Sequence, residues 1–338
     1  MRRLALLLSL VLVVPLLALA QEASVPEIAY DSVPNLLKLP PDLYLGEAAG
    51  VAVNSKGDIF VFTRSGHTRL FEFDPSGKFM REIGQDLYGF SFAHVVRVDK
   101  NDNIWCVDEG ANMVIEFNPD GRVIMLYGRK PEAVEGGGPR PPGSPPPPPP
   151  PPDFATFQER LFNRPTDVAW DAEGNSYISD GYGNSRVVKY DKNGDWVTEW
   201  GKRGTEPGEF HTVHSIATDA NGTVYVGDRE NHRIQVFDGN GKFLKAFTNI
   251  GAPWAICITP GPHQVLYTSD SNKGRIYKLD LNGNILGAFG KPGKQLKEFG
   301  WVHEISCPSE NTLFVAELLN WRVQKLTLHP AHDRSRGR

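Results

Sequence analysis

Residues 162–201, FNRPTDVAWDAEGNSYISDGYGNSRVVKYDKNGDWVTEWG, contain every part of a unit that the chain repeats. A short apolar strand leads into the turn DAEGN, and a second strand, SYISD, ends in an acidic residue. A corner then leads to a third strand, RVVKYD, and the turn KNGD precedes a fourth strand that ends in Trp-Gly. Four short strands joined by Asn-Gly and Asp-Gly types of turn are typical of one blade of an antiparallel propeller.

The unit recurs six times, and one aliphatic residue in each first strand serves as its anchor. The six anchors are Val51, Val96, Val168, Ile216, Ile256 and Ile305. Because a single blade cannot bury both of its faces, the units must stack in a ring. The sequence therefore predicts an all-β fold, a six-bladed β-propeller over residues 21–330. The sixth unit stops after its third strand, so residues 34–39 are predicted to complete the last blade and remove the open sheet edges.

The two ends of the chain and one insertion lie outside the repeat. Residues 1–20 resemble a secretory signal, with Arg2 and Arg3 before an apolar run and a small-x-small cleavage site at Ala18–Ala20. This predicts a secreted or periplasmic protein without a membrane contact after cleavage, whereas an uncleaved anchor is the alternative. Residues 131–157, with eight consecutive prolines, predict an exposed loop that is either disordered or docks a protein partner. Residues 331–338 form a basic tail.

Charge and cysteine content narrow the function classes. The 36 Lys and Arg residues, two of them in the signal, stand against 40 Asp and Glu, which argues against a nucleic-acid partner. Three cysteines occur, Cys106, Cys257 and Cys307, and none belongs to a CxxC pair. An odd number in an exported protein leaves at least one thiol without an intramolecular partner. We interpret the cysteines mostly as small core residues and not as a metal cluster.

Three histidines occupy the same register in alternate units. His94, His214 and His303 each stand two residues before the anchor, where the other units have Ala49, Thr166 and Trp254. The first strand of a blade lies innermost, and alternate blades of six are about 120° apart, so the three imidazoles should converge on the ring axis. One such histidine is more often a buried polar residue than a ligand. Strict alternation favours a zinc site with three His ligands and one open position.

A second group of candidate residues lies where second strands end. Arg64 and Arg229 follow the second strands of units one and four, and Tyr182 lies at the corner of unit three. Two arginines can hold a carboxylate by bidentate contacts. A tyrosine beside a metal and an arginine could have its pKa lowered enough to act as a base. The alternative is surface ion pairing by the arginines and packing by the tyrosine.

The corner sequences carry a family resemblance. The stretch 231–234, Asn-His-Arg-Ile, is echoed at 184–187 and 320–323 and resembles the NHL repeat. That resemblance covers residues 46–329 and implies a six-bladed propeller, but a propeller is a scaffold with many uses. His232 belongs to this signature and not to a first strand, so we interpret it as structural.

Residues 162–237 resemble, more specifically, the peptidyl-α-hydroxyglycine α-amidating lyases. The resemblance rests on a Pro-Thr-Asp strand, the corner Asp-Gly-Tyr-x-Asn-Ser-Arg, a His-Ser strand and the corner Asp-Arg-Glu-Asn-x-Arg-Ile-Gln. It implies a zinc-dependent lyase that splits a peptidyl-α-hydroxyglycine into an amide and glyoxylate. The substrate would be a small molecule or peptide with a C-terminal carboxylate. The resemblance implies that His94, His214 and His303 bind zinc, that Tyr182 is the catalytic base, and that Arg64 and Arg229 bind the carboxylate.

The same resemblance implies a structural calcium ion. Its ligands would be the backbone carbonyls of Val51 and Val96 and the acidic residue after the third histidine, which is Glu304 here where the family has Asp. Two further departures are Val213 in place of a Pro and Gly183 in place of a Cys.

Two other functions remain open at this point. One is a non-catalytic exported NHL propeller that binds a protein or glycan partner. The other is a lactonase-like hydrolase, but such propellers centre calcium on carboxylates and Asn, whereas the inner register here offers imidazoles. The lyase is therefore the favoured hypothesis.

Overall fold

The computed structural model describes residues 25–130, 143 and 160–329, and these form six four-stranded antiparallel sheets. This confirms the predicted six-bladed propeller. Blade 1 has β2 (Glu47–Val53), β3 (Ile59–Ser65), β4 (His67–Phe73) and β5 (Phe79–Ile83), and blade 2 has β6 (Ala93–Val98), β7 (Ile104–Asp108), β8 (Met113–Phe117) and β9 (Val123–Gly128). Blade 3 has β10 (Asp167–Trp170), β11 (Ser176–Asp180), β12 (Arg186–Tyr190) and β13 (Trp196–Trp200), and blade 4 has β14 (Val213–Thr218), β15 (Val224–Asp228), β16 (Arg233–Phe237) and β17 (Phe243–Phe247). Blade 5 has β18 (Pro253–Ile258), β19 (Leu266–Asp270), β20 (Arg275–Leu279) and β21 (Ile285–Phe289), and blade 6 has β22 (Val302–Ser309), β23 (Thr312–Glu317), β24 (Arg322–His329) and β1 (Ala29–Ser32).

Several predictions fall on other parts of the chain. The signal at residues 1–20 and the basic tail at 331–338 lie outside the described residues. So does the proline-rich insertion at 131–157, except for residue 143. Within the described ranges, no helix is long and apolar enough to cross a membrane.

The turns explain why each unit folds into strands. In the turn between β14 and β15, Asp219 Oδ1 accepts hydrogen bonds from the backbone N–H of Asn221 at 2.8 Å and Thr223 at 2.9 Å. Gly222 takes the left-handed conformation that this turn requires, with φ of 77°. The aspartate therefore satisfies the turn backbone and fixes where the second strand begins.

The corner signature ties the second strand to the third. In blade 4, Asp228 at the end of β15 accepts hydrogen bonds from Asn231 Nδ2 at 2.9 Å and Arg233 Nε at 2.7 Å. These charge-assisted contacts stabilise the corner between the second and third strands and explain why Asn and Arg recur there. The same pairing recurs in blades 3 and 6 through Asp180, Asn184 and Arg186, and through Glu317, Asn320 and Arg322.

The hydrophobic core is divided among the junctions of the ring. Among the described residues, six clusters of buried side chains each combine residues of two neighbouring blades, and the cluster between blades 1 and 2 also includes Leu318 of blade 6. Between blades 1 and 2, for example, Phe60 and Phe62 pack with Ile104 and Cys106. Since each blade buries both faces against its neighbours, the first strands are held around a common axis.

The last blade receives its fourth strand from the N-terminal side of the chain. Strand β1 pairs antiparallel with β24, from Ala29 opposite His329 to Ser32 opposite Leu326. The predicted position of this strand, residues 34–39, is wrong. Lys38 instead forms an isolated parallel bridge with Lys78 of blade 1, and the leucines of this segment pack into the core between blades 1 and 6. The apolar pattern of residues 34–39 reflects their burial in the core, whereas the strand that pairs with β24 has the polar sequence AYDS.

The three cysteines are buried, in agreement with their interpretation as mostly small core residues, but two of them are also bonded to each other. Cys257 and Cys307 form a disulfide that joins the first strands of blades 5 and 6. Cys106 is a free, buried thiol. This agrees with the expectation that an odd number of cysteines leaves at least one without an intramolecular partner. Neighbouring first strands lie side by side around the axis, and this proximity, absent from the linear sequence, brings the two sulfurs together.

Removal of residues 1–33 should destabilise the ring, because β24 would then present an open edge. We expect a lower melting temperature and aggregation in size-exclusion chromatography. The matched control lacks residues 1–24 and keeps β1. Equal melting temperatures for the two truncated proteins would show that β1 does not close the ring.

Thiol titration of the unfolded, unreduced protein should find one thiol per chain, belonging to Cys106. The Cys257→Ser variant should lose about 2–4 kcal/mol of unfolding free energy, since the disulfide closes a loop over a sequence separation of 50. Cys106→Ser serves as a control with the disulfide intact. Three titratable thiols without reductant would contradict the assignment.

Candidate metal centre and catalytic site

The three predicted histidines lie at β-bulges of first strands. The ladder register shifts between Ala93 and Val95, between Val213 and Ser215, and between Val302 and Glu304. The extra residue, which has no partner in the ladder, is His94, His214 and His303 respectively. A bulge turns one side chain away from its normal alternation and is frequent beside functional sites. The sequence register located these residues, but it contained no signal for the bulges.

The bulges bring the three imidazoles together. Ring centroids are 4.7 Å apart for His94 and His214, 4.6 Å for His94 and His303, and 5.0 Å for His214 and His303. Each histidine offers one ligand nitrogen, and these nitrogens lie within 4.8 Å of one another. All three side chains are buried.

The following blade orients two of the three rings. His214 Nδ1 lies 2.6 Å from the Trp254 carbonyl, and His303 Nδ1 lies 2.8 Å from the Ala49 carbonyl. Both acceptors occupy the histidine register of the next blade. A carbonyl can only accept, so Nδ1 carries the proton and Nε2 presents its lone pair. The corresponding neighbour of His94 is Thr166, although His94 Nδ1 makes no hydrogen bond of normal geometry.

The donor set fits a zinc ion. Nε2 of His214 and Nε2 of His303 are buried without a hydrogen-bond partner, an arrangement that is costly unless another group binds them. Burial and neighbouring positive charge lower the pKa of all three histidines, that of His303 to about 3. Neutral imidazoles with free Nε2 lone pairs are the form that ligates metals.

Tyr182 and Arg229 lie directly over this cluster. The Tyr182 hydroxyl is 3.4 Å from His94 Nε2 and 3.4 Å from Arg229 Nη1. The Arg229 guanidinium stacks on Trp254, 4.6 Å from the ring centroid. Burial raises the pKa of Tyr182 above its ordinary value, and the charge of Arg229 opposes the rise. The predicted lowering of this pKa is therefore not produced by the protein groups alone.

Arg64 lies beside the cluster but is already paired. Its Nε is 3.1 Å from a carboxylate oxygen of Glu47, and its Nη1 donates to the Ala93 carbonyl at 3.3 Å. Its guanidinium stacks on Phe92 at 4.2 Å. Arg64 therefore adds positive charge next to His94 while remaining anchored in blades 1 and 2.

Sequence reasoning missed two charged residues of the site. Glu109 Oε2 is buried without a hydrogen-bond partner and lies 3.8 Å from His94 Nε2. Glu109 Oε1 accepts from Arg164 Nη2 at 3.1 Å, and Arg164 also stacks on Tyr182 at 4.4 Å. Asp108 ends the second strand of blade 2 and Glu109 follows it directly, but Asp108 binds backbone N–H groups of its own blade. Only the fold shows which of the two carboxylates faces the histidines.

The residues predicted for calcium also come together near the axis. Glu304 Oε2 accepts hydrogen bonds from the backbone N–H of Val51 at 3.0 Å and of Val96 at 3.2 Å. The expected ligands were the carbonyls of these two residues, whereas their N–H groups face the carboxylate. Arg97 lies 3.0 Å from the other carboxylate oxygen.

Comparison with known proteins agrees with this architecture. Residues 210–237 match the NHL repeat. The chain is 27% identical to a peptidyl-glycine alpha-amidating monooxygenase of Xenopus laevis over 87% of its own length and 35% of that protein's. It thus spans about a third of the amidating monooxygenases that it matches. A probable peptidyl-alpha-hydroxyglycine alpha-amidating lyase of Caenorhabditis elegans is 25% identical, over 85% of this chain and 84% of that protein.

A solved structure shares the fold at lower identity. The virginiamycin B lyase of Staphylococcus aureus superposes with a TM-score of 0.59 and 15% identity, covering 90% of this chain and all of that one. This likeness concerns the architecture alone. The chain is therefore a six-bladed β-propeller with an NHL repeat, and it resembles the peptidyl-alpha-hydroxyglycine alpha-amidating lyases.

Proposed function

We propose that this protein is a zinc-dependent lyase that cleaves the N–C bond of a peptidyl-α-hydroxyglycine, or a similar α-hydroxy amide, into an amide and glyoxylate. One observation carries the proposal. Three buried, neutral imidazoles converge on one point, and a tyrosine hydroxyl and a guanidinium lie directly over them. The relatives named as amidating lyases support a lyase role at the level of the family.

His94, His214 and His303 would hold the zinc ion, the last two through the Nε2 atoms that have no other partner. When bound, zinc supplies a Lewis acid for the α-hydroxyl oxygen and a positive charge that lowers the pKa of nearby acidic groups. The three histidines leave a position open for the substrate.

Tyr182 would act as the general base, in its ionised form. Its oxygen takes the proton of the α-hydroxyl, and the electron pair that is released forms the carbonyl of glyoxylate. The carbon–nitrogen bond breaks in the same collapse. The amide nitrogen leaves with that bonding pair and receives the proton from Tyr182, so atoms and charges balance. Arg229, 3.4 Å from the hydroxyl, stabilises the tyrosinate.

The arginines would position the substrate carboxylate. Arg229 is the better placed of the two, because it reaches both Tyr182 and the face of Trp254. Arg64 is fixed by Glu47 and contributes positive charge near His94. Fixed positive charge beside a buried reaction centre stabilises negative charge that develops during the reaction. We further propose that residues 1–20 direct export, as their composition predicts.

Purified protein should contain one zinc ion per chain by elemental analysis. His214→Ala should lose this zinc, since two imidazoles make a poor site, while His232→Ala should retain it. His232 is an exposed histidine of the corner signature and serves as the matched control. Equal zinc content in the His214→Ala and wild-type proteins would exclude the histidine cluster as the site.

Glyoxylate release from α-hydroxyhippurate should be catalysed by the zinc-loaded protein. Tyr182→Phe should retain zinc and lose roughly 10²–10⁴-fold in kcat, because it removes the general base alone. His232→Ala should keep full activity. Zinc binding without glyoxylate release would support the proposed metal site and contradict the proposed substrate. Full activity in Tyr182→Phe would contradict the proposed mechanism.

A further inference from the structure

One layer along the axis from the histidines, all six blades meet at a buried ionic cluster. Each anchor residue of the repeat contributes one backbone group to it. The backbone N–H groups of Val51 and Val96 donate to Glu304 Oε2, and those of Val168 and Ile216 donate to the carboxylate of Asp167. The carbonyls of Ile256 and Ile305 accept from the guanidinium of Arg97 at 3.2 Å and 3.4 Å.

Arg97 is the cation of this cluster. Its Nη2 lies 2.6 Å and its Nε 2.9 Å from the two oxygens of Asp167, which is a bidentate pair. Its Nε is also 3.0 Å from Glu304 Oε1. Blade 2 thereby supplies a positive charge to carboxylates of blades 3 and 6. Burial alone would lower the pKa of Arg97, but Asp167 and Glu304 outweigh it and hold the pKa above its ordinary value.

The cluster is closely packed. A Cβ at Gly50 would lie 2.5 Å from the Val96 backbone nitrogen and 2.7 Å from Glu304 Oε2. The missing side chain of Gly50 therefore makes room for the carboxylate. On its other side Arg97 lines a cavity of about 600 Å³ at the far end of the ring, which gives ions in solution a path to it.

We propose that the Arg97 guanidinium is a built-in cation that takes the place of the structural calcium ion, so that this layer of the ring needs no calcium. The residues expected to hold calcium do not fit it here. The N–H groups of Val51 and Val96 point at Glu304, and an N–H group repels a metal ion. Both oxygens of Asp167 accept hydrogen bonds from Arg97. Glu304 Oε1 accepts none, but it lies 3.0 Å from the positively charged Arg97 Nε.

The charge balance points the same way. Two carboxylates face one guanidinium, and four backbone N–H groups disperse the remaining negative charge. A calcium ion would add two positive charges next to Arg97, and these residues would offer it few of the six to eight oxygen ligands that it prefers. Glu304 suits this arrangement, since one carboxylate oxygen accepts from two N–H groups and the other lies within ion-pair distance of the guanidinium, 3.0 Å from Nε.

Calcium titration of the wild-type protein tests the proposal directly. The protein is stripped on a chelating resin and reloaded with one equivalent of zinc, so that the histidine cluster is filled. Calorimetry should then show no calcium binding, and millimolar calcium should leave the melting temperature unchanged. Stoichiometric calcium binding, or a rise in melting temperature with calcium, would overturn the proposal. Neither readout depends on lyase activity, so failure of the proposed reaction would be seen separately.

Arg97→Met removes the cation and leaves two buried carboxylates unpaired. Its melting temperature should fall by roughly 10 °C, and calcium should now restore part of the loss. Arg122→Met, at an exposed position, is the matched control and should show neither effect. If Arg97→Met does not fold, Arg97→Lys keeps the charge without the planar fork and should fold with a smaller loss and no calcium dependence. Wild-type stability in Arg97→Met would overturn the role of Arg97.

Discussion

The bidentate ion pair between Arg97 and Asp167, together with Glu304, is the interaction on which the rest of the propeller depends. A ring of six blades must fix six first strands at one axis, where side chains are crowded. Backbone N–H and C=O groups that face the axis need partners there. A planar cation with several donors and two carboxylates satisfies one such group from every blade at once. A small displacement of one blade would therefore disturb contacts that the other five blades make with this cluster.

The histidine site is built on this layer. Glu304 follows His303 directly, Asp167 follows Thr166, and Arg97 is three residues from His94. The bulges then turn the histidines toward the axis. The next blade supplies the carbonyl that orients His214 and His303. The site is thus assembled between blades, and no blade contains it alone.

The charged residues around the site affect both metal binding and the proposed reaction. Arg64, Arg164 and Arg229 surround the imidazoles, and each stacks on an aromatic ring. Burial of the rings and the positive charge of Arg64 and Arg229 lower the pKa of the histidines, and the neutral form that this favours suits metal ligation. Glu47, Glu109 and Glu230 neutralise much of the excess charge. The one unpartnered oxygen of Glu109 faces His94, so the site is not simply cationic.

The sequence by itself determined the repeat, the six blades and the three histidines, because period and register survive in the linear order of residues. It also singled out Tyr182, Arg64 and Arg229 as corner residues at one end of the ring. Only the tertiary structure decided that β1 closes the last blade, that Cys257 pairs with Cys307, that Glu109 faces the histidines and that Arg97 fills the axis. These four features join residues of different blades, or depend on which way a side chain turns at a bulge or corner. Such contacts follow from the curvature of the closed ring, and no local pattern in the sequence encodes that curvature.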